Sequence, residues 1–538
     1  LPLKRVLDAI RPAMTNPKIG KVAHNAKFDY MILKRMGLVV SPLTFDTMLA
    51  QFLIDPGSKH LGLKDLARHR LNTHMQNIEN LIGKGRKARP FSEVKIEDAA
   101  PYGAADADIT LRLMQTLQAD LKKLELEGLL AFDMQLVPVL ASMEFEGVSI
   151  DVDFFRELSN RLTIRLDELE TAIFKIVGHP FNIKSTQQLS DVLFKELQMP
   201  TDRLKRTKRG FYSTASGVLE SLRMSDDQGL IDLILEYRET GKLQSTYVDA
   251  LPKMVHSHTG RVHTSLNQTG AVTGRLSSNT PNLQNIPIRT ELGRQVRKGF
   301  VARPGWKFVA ADYSQVELRI LAHVSQDEAL LSAFKNDLDI HRATAATVHG
   351  VPLEAVTFEQ RRFAKAVNFG LMYGMGAFRL ARESELTLAE SENFIKTYFE
   401  RFPGVRAYLD KTKEQAHKEA YVETLMGRRR QFAIFMPGAV RGRQYVASAE
   451  REAINYPIQG TAADIIKIAM IQLTHSLRAG KYRARMLLQV HDELILEVPD
   501  EEVDAVKNLL EETMRNAYEL DVPLKVEAEV SDNWYDLK

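Results

Sequence analysis

In residues 1 to about 122, short apolar runs alternate with amphipathic stretches and close on "YGAADADITLRLMQTLQADL", whose apolar positions recur at helical spacing. The pattern predicts a first α/β domain. From about 123 to 250 it changes to long polar helices such as "RELSNRLTIRLDELETAIFKIV", which suits an elongated helical arm. β-type runs return from about 251: "WKFVAADYS" reads as a buried strand running into Asp312, and "ARMLLQVHDELILEVPD" as two apolar strands split by a tight turn at His491 and Asp492. Between those segments, roughly 325 to 475, the periodicity is helical again. The expectation is an α+β or α/β multidomain protein whose sheet is interrupted by a large helical insertion, with no internal repeat and no low-complexity linker.

One predicted helix has an unusual face. In "TFEQRRFAKAVNFGLMYG", Thr357 to Gly374, Arg361, Lys365, Phe369 and Tyr373 recur every four residues. Such steps drift only ~40° each and span ~18 Å, so all four side chains can meet one elongated ligand. Thr357 and Gln360 form a capping-box start, and Gly374 is a natural stop. The cations sit in the half where the helix dipole also favours an anion, and the aromatics follow. Phosphates at Arg361 and Lys365, with a flat base or sugar at Phe369 and Tyr373, describe a nucleoside triphosphate. The plain alternative is a solvated cationic face above core aromatics. Gly370 weighs against it, because a mid-helix glycine costs ~1 kcal/mol relative to alanine and suggests that something approaches the backbone there.

Composition narrows the chemistry. The 538 residues exceed one compact core, and a 44% hydrophobic share with 26% charged residues marks a globular chain. No apolar run approaches the ~18 residues expected of a membrane span, so a cytoplasmic location and no membrane partner are expected. The chain opens at Leu1, already in a structured pattern, and reads as a fragment of something longer. Zero cysteines leave oxygen or imidazole as metal donors, which turns attention to carboxylates, magnesium and manganese. Net charge is only +3, but "RLKRTKR" (Arg203 to Arg209) and "GRRR" (Gly427 to Arg430) concentrate cations. Taken alone, the first cluster reads as a solvated loop.

Asp312 and Asp492 lie far apart in sequence, each at a strand end or turn. Lone aspartates there are commonly turn residues. Were the two strands neighbours, both carboxylates would leave the same sheet edge, where a pair of divalent ions ~3.5–4 Å apart serves phosphoryl or nucleotidyl transfer. "GAVTGRLSS" lacks the spacing of a phosphate-binding P-loop, which disfavours a kinase or motor ATPase.

Together these segments resemble the family A DNA polymerases: "DYSQVELRI" (Asp312 to Ile320) is similar to motif A, "RRFAKAVNFGLMYG" to motif B and "QVHDE" (Gln489 to Glu493) to motif C. "TGRLSSNTPNLQNIP" (Thr273 to Pro287) and "INYPIQGTAADIIK" (Ile454 to Lys467) match two further family segments. The resemblance implies a right-hand polymerase at 123–538, with a thumb at about 150–250, a palm at about 251–325 and 475–538, and fingers at about 326–474. It implies catalytic, metal-binding Asp312 and Asp492, with Glu493 in support, and two Mg²⁺ ions with Mn²⁺ as a substitute. Arg361 and Lys365 would hold the incoming deoxynucleoside triphosphate, Lys365 also as proton donor to pyrophosphate, with Phe369 and Tyr373 against sugar and base. His341 would add a phosphate contact, its plainer reading being a surface residue just after the helix cap Asp339. Glu317 would fill the space a ribose 2′-hydroxyl needs.

The resemblance also implies that Arg275, Gln284, Asn285, Arg451, Asn455, Gln459, Gln489 and His491 line the primer-template DNA. The minor groove offers an acceptor for every correct pair, so donors there test geometry without reading sequence. Lys205 to Arg209 would add salt-sensitive backbone contacts. Tyr456 and Gly376 depart from the family pattern. A monomer near the bacterial nucleoid is expected.

Residues 1–122 resemble the family's ribonuclease H-like 3′-5′ exonuclease domain, with Asp29 in "NAKFDYMIL" and Tyr102 and Asp106 in "YGAAD" at its second and third motifs. The first motif, Asp-x-Glu, is absent, so the domain reads as truncated and poor at proofreading. A single-subunit RNA polymerase, against which Glu317 argues, and a catalytically silent DNA-binding protein remain as alternatives.

Overall fold

The two apolar runs around Asp312 and Asp492 do meet in one sheet. The computed structural model describes residues 2–202, 204–288, 290–384, 386–439 and 442–537, and the side chains of Arg86, Phe369 and Glu383 lie outside that description. By backbone contacts the chain divides into two units, one of residues 1–145, 265–279 and 309–529, the other of 146–264, 280–308 and 530–538.

In the first unit, two short parallel strands, β1 (Lys21–Ala23) and β2 (Leu43–Asp46), flank helix α1 (Ala26–Arg35). The long helix α2 (Ile96–Lys123) covers them, and Ile109, Leu113, Leu117 and Leu121 recur every four residues along its buried face. Removing such side chains from water stabilises by ~1.5–3 kcal/mol each before entropy is counted. Helix α3 (Glu127–Glu146) corrects one expectation: over 18 residues its mean hydropathy of 1.3 is high enough to cross a membrane, yet 61% of that window is buried in the protein. Its buried Asp133 and Glu144 take charged partners, Arg428 and Lys27, inside the fold. It is a core helix.

A small antiparallel pair, β3 (Ser265–Asn267) and β4 (Ser277–Asn279), precedes the central strand β5 (Trp306–Tyr313). After it come α4 (Val316–Ser325), α5 (Ile340–His349), α6 (Phe358–Met372) and the 37-residue α7 (Arg443–Ala479). The hairpin β6 (Arg485–Val490) and β7 (Glu493–Pro499) and the strand β8 (Val526–Ser531) complete a four-stranded sheet of order β8-β5-β7-β6. Val490 faces Glu493 across the hairpin, leaving His491 and Asp492 as its whole turn. His491 takes left-handed backbone (φ 53°), a conformation that costs a side-chain-bearing residue ~1 kcal/mol or more and concentrates at functional sites. Apolar residues of α4, α7 and the sheet, among them Ile320, Ile458, Ile465, Leu494 and Leu496, form the main core.

The second unit is led by a helix at Val152–Val177 and another at Leu230–Leu243, packed through Leu169, Ile173, Ile231 and Ile234. In the Lys/Arg loop, Lys205, Lys208 and Arg209 are exposed and the Arg206 guanidinium lies 4.7 Å from the Tyr212 ring centroid, while Arg203 lies outside the described residues. The second cationic cluster is not a solvent-facing patch. Arg428 is 1% exposed between Asp133 and Asp464, Arg429 pairs with Glu423, and Arg430 pairs with Glu452.

Candidate active site

Neighbouring strands bring the two aspartates together: the backbone N–H of Tyr313 donates to the carbonyl of Asp492 at 3.2 Å. Asp312 is solvent-accessible at the end of β5 yet closely ringed by protein. Its carboxyl is pushed up to about 6, first by lost hydration and then by the charge of Asp492, with Glu527 adding to it. Burial raises Asp492 as well, and Arg275 opposes that rise. Two carboxylates held so close favour a cation between them or a proton on one. Among the described residues no group of three or more histidine, aspartate or glutamate side chains is placed to hold a metal ion. A pair of oxygen donors still fits Mg²⁺ or Mn²⁺, which keep waters and take further oxygens from substrate phosphates. Glu493 begins β7 beside them, half-buried.

Next to the pair, Glu317 is 6% exposed and clamped on both oxygens. One accepts from Arg275 at 2.5 Å, the other from the Tyr373 hydroxyl. Burial raises the Glu317 carboxyl, with Arg275 and Tyr373 opposing. Burial and then Glu317 itself raise the Tyr373 phenol, which Gln459 also hydrogen-bonds. Two side chains from distant parts of the sequence thus converge on one carboxylate, and a third, Gln459, bonds one of them.

Helix α6 begins and ends as its sequence predicts. Thr357 and Gln360 exchange the two capping-box bonds, at 2.9 and 3.2 Å, and Gly374 stops the helix at φ 69°. Contrary to the expectation from sequence, Gly370 does not leave its backbone open to a ligand; what closes on it is Met375, and a Cβ at position 370 would stand 2.5 Å from the methionine Cε. Arg361 donates to Asp339 at 2.6 Å, Lys365 is exposed, and the side chain of Phe369 lies outside the described residues. His341 is not a surface residue. It is 3% exposed under α6, and burial holds its imidazole down to about 4, Lys365 and Arg361 helping and Asp339 opposing.

On α7, Arg451, Asn455 and Gln459 are open or half-open while Ala453, Ile454, Tyr456, Pro457, Ile458 and Gly460 around them are buried. This is a polar stripe at four-residue spacing beside the buried positions within 453–460 of the helix, and the buried Asn455 Oδ1 has no hydrogen-bond partner within the protein. His491 is exposed at the hairpin turn, but Gln489 is 5% exposed and its amide donates to the His491 carbonyl. Gln284 and Asn285 belong to the second unit, where the Tyr247 hydroxyl donates to the Asn285 carbonyl at 2.9 Å.

A separate cleft of ≈ 980 Å³ gathers Asp29, Tyr102 and Asp106 with His24 and Lys64. Burial raises all three candidate groups, with Asp46 adding to Asp29, Asp106 adding to Tyr102, and Lys64 opposing at Asp106.

Two features escaped sequence reading. Asn368, 1% exposed, bridges α6 to His341 and Thr344 on α5. Its only signal was a polar side chain among the core positions Ala364, Val367 and Leu371. The other is the buried cluster of Asp133, Arg428, Asp464 and Lys467, assembled from three segments.

The family model described as DNA polymerase family A matches residues 152–536, and that described as 3′-5′ exonuclease matches residues 2–122. "DNA polymerase I" of Chloroflexus aurantiacus is 48% identical, covering 100% of this chain and 57% of that protein. The Pseudomonas aeruginosa "DNA polymerase I" is 44% identical over 98% of this chain and 58% of its own length. Thus the chain spans somewhat over half the length of the curated relatives it matches. The solved "POL domain of Pol1 from M. smegmatis complex with DNA primer-template and dNTP" superposes with a TM-score of 0.90 at 37% identity, covering 100% of this chain and 90% of that one.

Proposed function

Since the chain belongs to DNA polymerase family A, we propose that it extends a primer 3′ end on a DNA template with deoxynucleoside triphosphates, in replication and repair. The observation that carries this is the meeting of Asp312 on β5 with Asp492 in the turn that enters the adjacent strand β7, with Asp312 pushed up to about 6. Two Mg²⁺ ions held by Asp312 and Asp492, or Mn²⁺ in their place, would supply activation of the primer hydroxyl and neutralisation of the leaving oxyanion.

The chain's own groups do the rest. Arg361 and Lys365 grip the triphosphate from the N-terminal half of α6, Arg361 first releasing Asp339. Lys365 gives a proton to pyrophosphate as the α-phosphate bond to it breaks, while the primer oxygen bonds to phosphorus and its hydroxyl proton passes to solvent. Phe369 and Tyr373 pack on sugar and base, while Glu317, fixed between Arg275 and Tyr373, leaves no room for a 2′-hydroxyl. Arg451, Asn455 and Gln459 on their open or half-open stripe, with Arg275, Gln284, Asn285, Gln489 and His491, line the primer-template, and Lys205 to Arg209 of the thumb add backbone contacts. In this reading the palm is the four-stranded sheet, the fingers hold α5 and α6, and the protein works as a monomer in the cytoplasm, at the nucleoid. Asp29, Tyr102 and Asp106, gathered in one cleft, form an exonuclease-like site.

Primer extension with Mg²⁺ tests the main reading: Asp312→Ala and Asp492→Ala should each abolish synthesis while DNA binding persists. Extension retained in either variant would overturn it.

A further inference from the structure

Beneath the triphosphate face of α6, three buried polar side chains form a chain whose proton positions can be deduced. Thr344 Oγ1 donates to the carbonyl of Ile340 at 2.8 Å, a bond made one helical turn back within α5. A hydroxyl has a single proton. What Thr344 turns toward Asn368 is then a lone pair, which suits the amide nitrogen 3.0 Å from it and leaves Asn368 Oδ1 buried with no hydrogen-bond partner in the protein. The same nitrogen stands 3.2 Å from His341 Nδ1. Its second proton points there, so Nδ1 accepts.

We propose that Asn368, oriented by Thr344, is a positioning residue that holds His341 as the tautomer with its proton on Nε2, so that the imidazole offers the incoming triphosphate a hydrogen-bond donor. A neutral histidine is free to be donor or acceptor at either nitrogen, and only the donor form suits a phosphate oxygen. The ring stays neutral because burial, together with the nearby cations Lys365 and Arg361, holds it down to about 4. Such a donor adds recognition without adding a third charge beside Arg361 and Lys365. The contact with triphosphate rests on the polymerase reading given above, whereas the tautomer itself does not.

The test is nitrogen-15 NMR of the full chain labelled at histidine, with the His341 signals identified by their loss in His341→Gln. In the free protein Nδ1 should show the shift of an unprotonated nitrogen and Nε2 that of a protonated one. Asn368→Asp presents a carboxylate, which accepts from Nδ1–H, so Nδ1 should become protonated; the KM for deoxynucleoside triphosphates should then rise about tenfold, with kcat changed less. Thr344→Ser keeps the hydroxyl and should preserve the wild-type signature, whereas Thr344→Val releases the amide and should yield a mixture of tautomers. A protonated Nδ1 in the wild type, or an unchanged signature in both Asn368→Asp and Thr344→Val, would overturn the inference. Failure of the wild-type chain to extend primers would instead strike the polymerase reading and leave the tautomer standing.

Discussion

At the scale of single residues, the active site is governed by where charge is tolerated. Asp312 titrates near 6 when folded, above the ordinary carboxylate range, so the folded chain holds that proton more tightly than the unfolded chain does. Stability should therefore fall as pH rises from the ordinary range through about 6, and Asp312→Asn should flatten that slope in thermal melts. A divalent cation competes with the same proton, so added Mg²⁺ should raise Tm above about pH 6 and do little below about pH 5. A Mg²⁺ response indifferent to pH, or unchanged in Asp312→Asn, would contradict this. Glu317→Ala should let ribonucleotides in, seen as a smaller deoxy-to-ribo ratio of kcat/KM. It should also destabilise the fold, since Arg275 and Tyr373 lose their shared partner. Lys365→Ala should lower kcat by roughly 10²-fold or more in single-turnover extension if it gives the proton. Asp312 stood out in sequence as a strand end and Lys365 as part of a helix face of fixed period, whereas Glu317 was named only by resemblance to the family. Their partners were not legible: that Glu317 binds both Arg275 and Tyr373, or that His341 is buried, depends on packing between segments that periodicity does not relate.

At the scale of elements, α6 shows what local rules capture and what they miss. Its capping box and left-handed stop follow from Thr357, Gln360 and Gly374 alone. Gly370 was legible as an anomaly but not as an explanation, since the occupant of its empty side is Met375 from beyond the helix end. Gly370→Ala in a Met375→Ala background should recover part of the ordinary helix gain of about 1 kcal/mol against urea, the Cβ kept at position 375 still standing 3.3 Å from the new Cβ, whereas in the wild-type background the Met375 tip must also move. No gain in the double variant over Met375→Ala would show that another neighbour limits the site. The hairpin turn was equally readable from its apolar flanks, although its left-handed residue is His491 rather than a glycine.

At the scale of the whole molecule, buried charge ties distant segments of one unit together. Arg428 makes paired bonds to Asp133 at 3.0 Å and reaches Asp464 at 2.9 Å, all three nearly excluded from solvent, and burial of Arg428 is more than offset by those two acids. Arg428→Met leaves two buried carboxylates facing Lys467 alone and should cost about 3–5 kcal/mol in urea unfolding. A loss below about 1 kcal/mol would mean that water or rearrangement reaches the cluster. Sequence reading registered these arginines only as local cation density, because the acids that neutralise them lie in α3 and α7.

The sheet order has a consequence for synthesis on the ribosome. Both neighbours of β5 lie well downstream, β7 by about 180 residues and β8 by more. At roughly 5–20 residues per second, the apolar segment Phe308–Tyr313 emerges some 10–40 seconds before any partner strand exists. Throughout that interval the nascent chain carries an unpaired, aggregation-prone edge, so yield in vivo should depend on chaperone supply and on translation speed across the helical insertion.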